Sequence, residues 1–242
     1  MKLRFCITMI LAAMAGLSAF GAKDPDEYRA QLILANGDTI IGYIHNDLKT
    51  GLKNMFSKTG SIRQYVNLGE QLDGGKTKRY GAKEVREYRM LNSTEAFPEG
   101  EVCVSTMINS PAMFKPLKYV RGFAWERDRR ESGQILRWDV WETTGGQNSV
   151  SRLVPAIGVK FKGAPAAFIL MVNGMMNDWY VCHYLKKNYP ALLEAWNAYY
   201  HEGDDAKAHR KELTDNPSTA LLFYENFLRD NPPLDDDAEA GK

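Results

Sequence analysis

The sequence predicts an α+β chain: mainly antiparallel β-sheet, as a sandwich or open barrel, with C-terminal helices packed on it. Three observations carry this. Short alternating runs parted by Gly, Asn, Ser and Pro fill residues 25–175. Helical spacing replaces them after Trp179. Within one predicted strand, Trp138 and Trp141 point to opposite faces, so that strand needs cover on both sides.

The first element is a hairpin. In AQLILANGDTIIGYIHND, residues 30–47, Leu32 and Leu34 share one face before the turn, and Ile40 and Ile44 share one after it. Asn36-Gly37 tolerates positive φ, so a tight turn joins two strands. Asp38 is then a turn residue that bonds nearby backbone rather than a substrate. Further strands are read at MFSKTGSIRQYVNL (55–68), KTKRYGAKEVREYRML (76–91), EVCVSTMI (101–108) and QILRWDVWETT (134–144). AAFILMV (166–172) is the most continuously apolar segment after the N-terminus and predicts a strand buried on both faces. DWYVCHYL opens the helical region, and only the pairing of its Cys182 and His183 is weighed on strand geometry. In YLKKNYPALLEAWNAYY (184–200), Leu185, Leu192, Leu193, Trp196 and Tyr200 fall at helical spacing, and Pro190 opens a helix that runs to about Gly203. A second helix starts at Pro217, capped by Asn216, and buries Leu221, Leu222, Tyr224, Phe227 and Leu228.

The motifs LILANGDTIIGYI, RYGAKEVREYRML leading into EVCVSTMI, YLKKNYPALLEAW and YENFLRD resemble a diffuse group of uncharacterised exported β-rich proteins of Gram-negative bacteria. The resemblance spans residues 30–228 and implies an envelope protein. It brings no catalytic residues with it.

The N-terminus reads as a secretory signal peptide. Lys2 and Arg4 precede an uncharged run over residues 5–17, and Ala19 and Gly21 are small residues at a cut after position 21. The run is shorter than the roughly 20 residues that a membrane-spanning helix needs. The organisation expected is a signal peptide (1–21), a β-rich body (22–175), a helical region packed on it (176–230) and an acidic tail (231–242). The chain holds 31 basic and 30 acidic residues, and losing Lys2 and Arg4 takes the balance from +1 to −1. Such a balance exerts no global pull on nucleic acid.

Enzyme signatures are few. No Gly-x-Ser-x-Gly elbow, His-Glu-x-x-His pair, Walker loop or dinucleotide turn occurs after residue 21. His201, Asp205 and His209 in HEGDDAKAH are spaced four and four, which on a continuous helix would present zinc-type ligands on one face. Gly203 interrupts that helix, and the plain reading is a solvated linker. Cys182 beside His183 is a poor thiol–base pair on a strand, where neighbours diverge. Cys103 and Cys182 are either a disulfide or two buried thiols. Residues 114–130 interleave Phe114, Tyr119, Phe123 and Trp125 with six basic residues, among them Arg127, and Glu126, Asp128 and Glu131 offset that charge.

Two functions of different class remain open. One is a non-catalytic envelope protein that binds a protein or glycan partner through Trp125, Trp138, Trp141 or Arg127. The other is a hydrolase of envelope or dietary polymers that uses carboxylates such as Glu84, Glu87, Asp139 and Glu142. Neither reading calls for a cofactor, a nucleic-acid partner or a transmembrane segment.

Overall fold

The computed structural model describes residues 28–45, 62–72, 75–92, 100–112, 115–144 and 150–231. The predicted signal peptide and nearly all of the acidic tail lie outside these residues, as does the side chain of Glu142. Among the described residues, eleven strands form one sheet in the order β11-β10-β9-β8-β7-β6-β5-β1-β2-β3-β4. They are β1 (Arg29–Leu34), β2 (Thr39–Ile44), β3 (Tyr65–Gly69), β4 (Thr77–Gly81), β5 (Val85–Met90), β6 (Val102–Ala112), β7 (Lys115–Arg130), β8 (Gly133–Thr144), β9 (Val150–Phe161), β10 (Ala167–Val172) and β11 (Met175–Met176). Four helices follow: α1 (Asp178–Asn188), α2 (Pro190–Tyr200), α3 (Ala206–Asp215) and α4 (Thr219–Asp230). The fold is α+β, as the patterning predicts.

The hairpin at the start forms as read. β1 and β2 pair antiparallel, and Gly37 takes φ 94° in the turn. Asp38 donates its N–H to Asn36 Oδ1 (3.1 Å), and its carboxylate accepts from Asn36 Nδ2 (2.7 Å), so both of its polar groups serve the turn.

The sheet closes on itself at β6. Residues 102–104 of β6 pair with β5, whereas Ile108 and Asn109 pair in parallel with Ala167 and Phe168 of β10. Strands β6 to β10 therefore make a ring. On the other side, the residues before β3 reach β7, where Phe123 N–H donates to the Arg63 carbonyl (2.8 Å). β6 and β7 are thus a shared wall between two lobes, and their alternating side chains face different cores. Cys103 and Phe123 join Leu32, Val66, Tyr80 and Tyr88 in the first lobe. Val104, Ile108 and Ala124 join Leu136, Trp138, Val140 and Ile169 inside the ring.

The helices supply the third core. They cover the outer face of the ring at Ile135, Phe161, Phe168 and Leu170, using Val181, Tyr184, Leu185, Leu192, Trp196, Leu221 and Tyr224. β10 is buried on both faces for this reason: Ala167 and Ile169 point into the ring, and Phe168 and Leu170 point under the helices.

Two sequence expectations change here. Cys182 and His183 lie on a helix, not a strand: DWYVCHYL is helical because Val181, Tyr184 and Leu185 recur at i, i+3 and i+4 and are buried against β10. The helical cover over β8 lies at Ile135, six residues before Trp141 and roughly 20 Å along the strand.

Candidate functional site

The helical end is laid out by its breaks. Asn177 caps α1 by accepting from Tyr180 N–H, and Pro190 sits in the first turn of α2, where its missing N–H costs no hydrogen bond. Gly203 takes φ 80° between α2 and α3. The first turns of α3 then satisfy the last carbonyls of α2. His209 Nδ1 donates to the Tyr199 carbonyl (2.9 Å), and Arg210 Nη1 donates to the Tyr200 carbonyl (2.5 Å). A helix C-terminus carries orphan carbonyls and partial negative charge, so a cationic side chain there is favourable. Asn216 makes the next turn: its Oδ1 accepts from Ser218 N–H (3.2 Å), and its carbonyl accepts from Thr219 Oγ1 (2.9 Å).

These junctions leave a cleft of about 460 Å³ between α2, α3 and α4. Its wall is aromatic: the Tyr199 ring stacks on His209 at 3.8 Å with only 4° between planes, and Phe223 lies 5.3 Å from Tyr199. Tyr199 and Leu222 are 39% and 40% exposed, so the cleft opens to solvent with apolar surface showing. Glu212, Asn226 and Asn231 supply polar groups around it. Because a carbonyl can only accept, His209 Nδ1 carries a proton. Burial pushes the Tyr199 and Tyr200 hydroxyls above their ordinary range, with the Glu212 carboxylate adding to this, so both remain neutral donors at physiological pH.

The residues singled out in the sequence lie elsewhere or in other roles. His201, Asp205 and His209 do not converge: His201 ends α2, with Nε2 3.3 Å from Asp178 Oδ1 at an angle that makes no hydrogen bond, while His209 is committed to Tyr199. Gly203 breaks the helix on which they would have aligned. Among the described residues, no group of three His, Cys, Asp or Glu side chains is placed to hold a metal ion. Cys103 and Cys182 are separate thiols, one in the first lobe and one on α1 beside Asn197 Oδ1 (4.0 Å). Burial, and then the Asp178 carboxylate one turn away, push the Cys182 thiol up, which is the wrong direction for a nucleophile.

Trp138 cannot be a stacking platform, being 4% exposed inside the ring. Trp125 packs edge-on against Tyr88 (5.6 Å), and Trp141 is half-buried. Arg127 pairs with Glu101 (3.0 Å). The carboxylates are dispersed: Glu84 accepts from Gly81 N–H (2.7 Å) in a turn, Glu87 lies 4.0 Å from Arg129, and β6 and β7 separate Glu87 from Asp139. The exposed tryptophan is instead Trp179, at 62%, stacked on His183.

Comparison with protein-family models, with curated proteins and with solved structures returns no match. Among the described residues, no helix is long and apolar enough to cross a membrane.

Proposed function

We propose that this chain is an exported envelope protein that binds a partner protein without catalysis, and that the cleft between α2, α3 and α4 takes a short segment of that partner. The observation that carries this reading is the exposed Tyr199 and Leu222 surface beside Glu212, Asn226 and Asn231. An apolar wall with a few convergent polar groups is the general form of a binding pocket. An apolar anchor side chain of the partner fits against Leu222, Phe223 and Phe227, with a basic neighbour toward Glu212. The dispersed carboxylates and the unfavourably shifted Cys182 thiol offer less to a hydrolytic mechanism.

The test is photocrosslinking in cells that express the full chain, with the crosslinker at position 222 or, as a control, at the exposed Leu153 of β9. A discrete adduct from position 222 alone, lost when Tyr199→Ala is added, is the expected result. No discrete adduct, or the same adduct from both positions, defeats the reading. Sequencing of the envelope-fraction protein should begin near Ala22, and intact Met1 there would contradict export.

A further inference from the structure

The two ends of the molecule carry opposite charge. Residues 75–92 hold six basic and two acidic side chains, whereas residues 176–231 hold six basic and nine acidic ones. Of the two acidic groups of the first stretch, Glu84 accepts from the Gly81 N–H and Glu87 lies beside Arg129, and the stretch keeps a net charge of +4.

Strand register decides which side chains share a surface. Arg29 lies directly opposite Tyr43, Tyr43 opposite Gly69, and Gly69 opposite Thr77, which places all four on one face of β1-β2-β3-β4. Asn67 and Arg79 form the next outward pair, and Tyr65 is outward beyond them. The opposite face is the core of the first lobe, with Ala30, Leu32, Ile44, Val66 and Leu68. The outward face is therefore not needed for packing. Its exposed apolar residue, Ile41 at 55%, lies on the same side as Tyr43.

Arg79 is held ready for a ligand. Its guanidinium lies 4.2 Å over the Tyr65 ring, and Nε donates to Asn67 Oδ1 (3.3 Å). That fixes the planar fork while its terminal N–H groups have no protein acceptor among the described residues. Arg29 is exposed and has no acidic partner among those residues. The two are three strand spacings apart and two residues offset along the strand, roughly 16 Å at the backbone. A single carboxylate or sulfate cannot reach both, but a polymer with repeated anions can.

We propose that the outer face of β1–β4 binds an acidic polysaccharide, with Arg29 and Arg79 pairing to successive carboxylate or sulfate groups and Tyr43 offering a ring face to the sugar between them. Guanidinium forks suit planar or tetrahedral oxyanions, and a tyrosine ring is a flat amphipathic surface. A bilayer is the less suited anion source, since among the described residues β1–β4 show one large exposed apolar side chain, Ile41, with Leu91 beside Arg29 at the margin, and the helical end repels a negative surface. This site is on different strands from those under the helices and does not depend on the cleft.

Titration of the full chain with a sulfated heparin oligosaccharide and with polygalacturonate tests it, alongside neutral dextran, single-stranded DNA and phosphatidylglycerol vesicles. Saturable binding to at least one acidic glycan is expected, weakening linearly with the logarithm of salt concentration. The combined R29Q and R79Q variant should bind at least tenfold more weakly with an unchanged melting temperature. Removing the same charge at the helical end, with K186Q and K207Q, should change affinity less than twofold. Absence of glycan binding, equal binding to dextran, tighter binding to vesicles or DNA than to either glycan, or an equal loss in both variants overturns the proposal. Crosslinking at position 222 is unaffected by these substitutions, so failure here and failure of the cleft reading are told apart.

Discussion

Inside the ring, Thr106 is 3% exposed and its Oγ1 has no hydrogen-bond partner among the described residues. A buried hydroxyl without a partner loses its water and receives nothing in exchange, at a cost of about 1–3 kcal/mol. Thr106→Val keeps the shape and removes the hydroxyl, so it should raise stability by about 1 kcal/mol in urea unfolding. A loss of that size would show that the hydroxyl serves a role in the ring. Cys103 poses the complementary case. Burial pushes its thiol up to about 12, against the weaker opposing effect of its hydrogen bond with Tyr88. Because the folded pKa is raised, this thiol's contribution is fully present below pH 9 and is lost as pH rises from about 9 to about 12. The slope for this one group is on the order of 1 kcal/mol per pH unit, and Cys103→Ala should remove that share of the alkaline loss. In native protein at neutral pH an alkylating reagent should label Cys182 and spare Cys103, with both labelled after unfolding. Two equally fast thiols would contradict the burial.

At the scale of elements, Trp196 is the centre of the helical layer. It is fully buried, 4.3 Å from Tyr200 and 5.4 Å from Phe223 in an edge-on contact. Trp196→Ala leaves a cavity bounded by α2 and α4 and should cost ~3–5 kcal/mol, measured as a lowered urea midpoint. A cost below 1 kcal/mol would mean the layer repacks freely. Such elements were legible where one local pattern decides them. Alternation in QILRWDVWETT and the Asn36-Gly37 turn each specify their structure within a few residues. DWYVCHYL was legible only in part, because Trp, Tyr, Val and Cys suit a strand by propensity, and its helix is settled by Val181, Tyr184 and Leu185 packing on β10. The polar segment that becomes α3 was hidden for a related reason: its buried residues are only Ala206 and Leu213. The cleft leaves no local pattern in the sequence because Tyr199, Glu212 and Leu222 meet only after three helices and two turns have folded. Ring closure between β6 and β10 is likewise a non-local parallel pairing with no trace in either strand.

For the molecule as a whole, the helices complete the ring rather than hang from it. Phe161 stacks on Tyr224 at 4.1 Å, and Phe168 stacks on Tyr184 at 4.3 Å. Two polar ties flank them: Tyr184 Oη donates to the Ala166 carbonyl (2.8 Å), and Ser132 Oγ donates to Glu225 Oε1 (2.7 Å). Removing the helices would expose the outward side chains Ile135, Phe161, Phe168 and Leu170, all now 2% exposed or less. At about 1.5–3 kcal/mol for each such side chain, the loss is on the order of 6–12 kcal/mol. That is comparable to the whole stability of a typical domain, about 5–15 kcal/mol. The amphipathic helices in turn are too short to persist alone, being 10–12 residues each. A chain ending at Asn177 should therefore aggregate, or melt far below the full-length protein and bind a hydrophobic dye. If it stays monomeric with an unchanged melting temperature, the ring is stable uncovered and the helices are an appended arm.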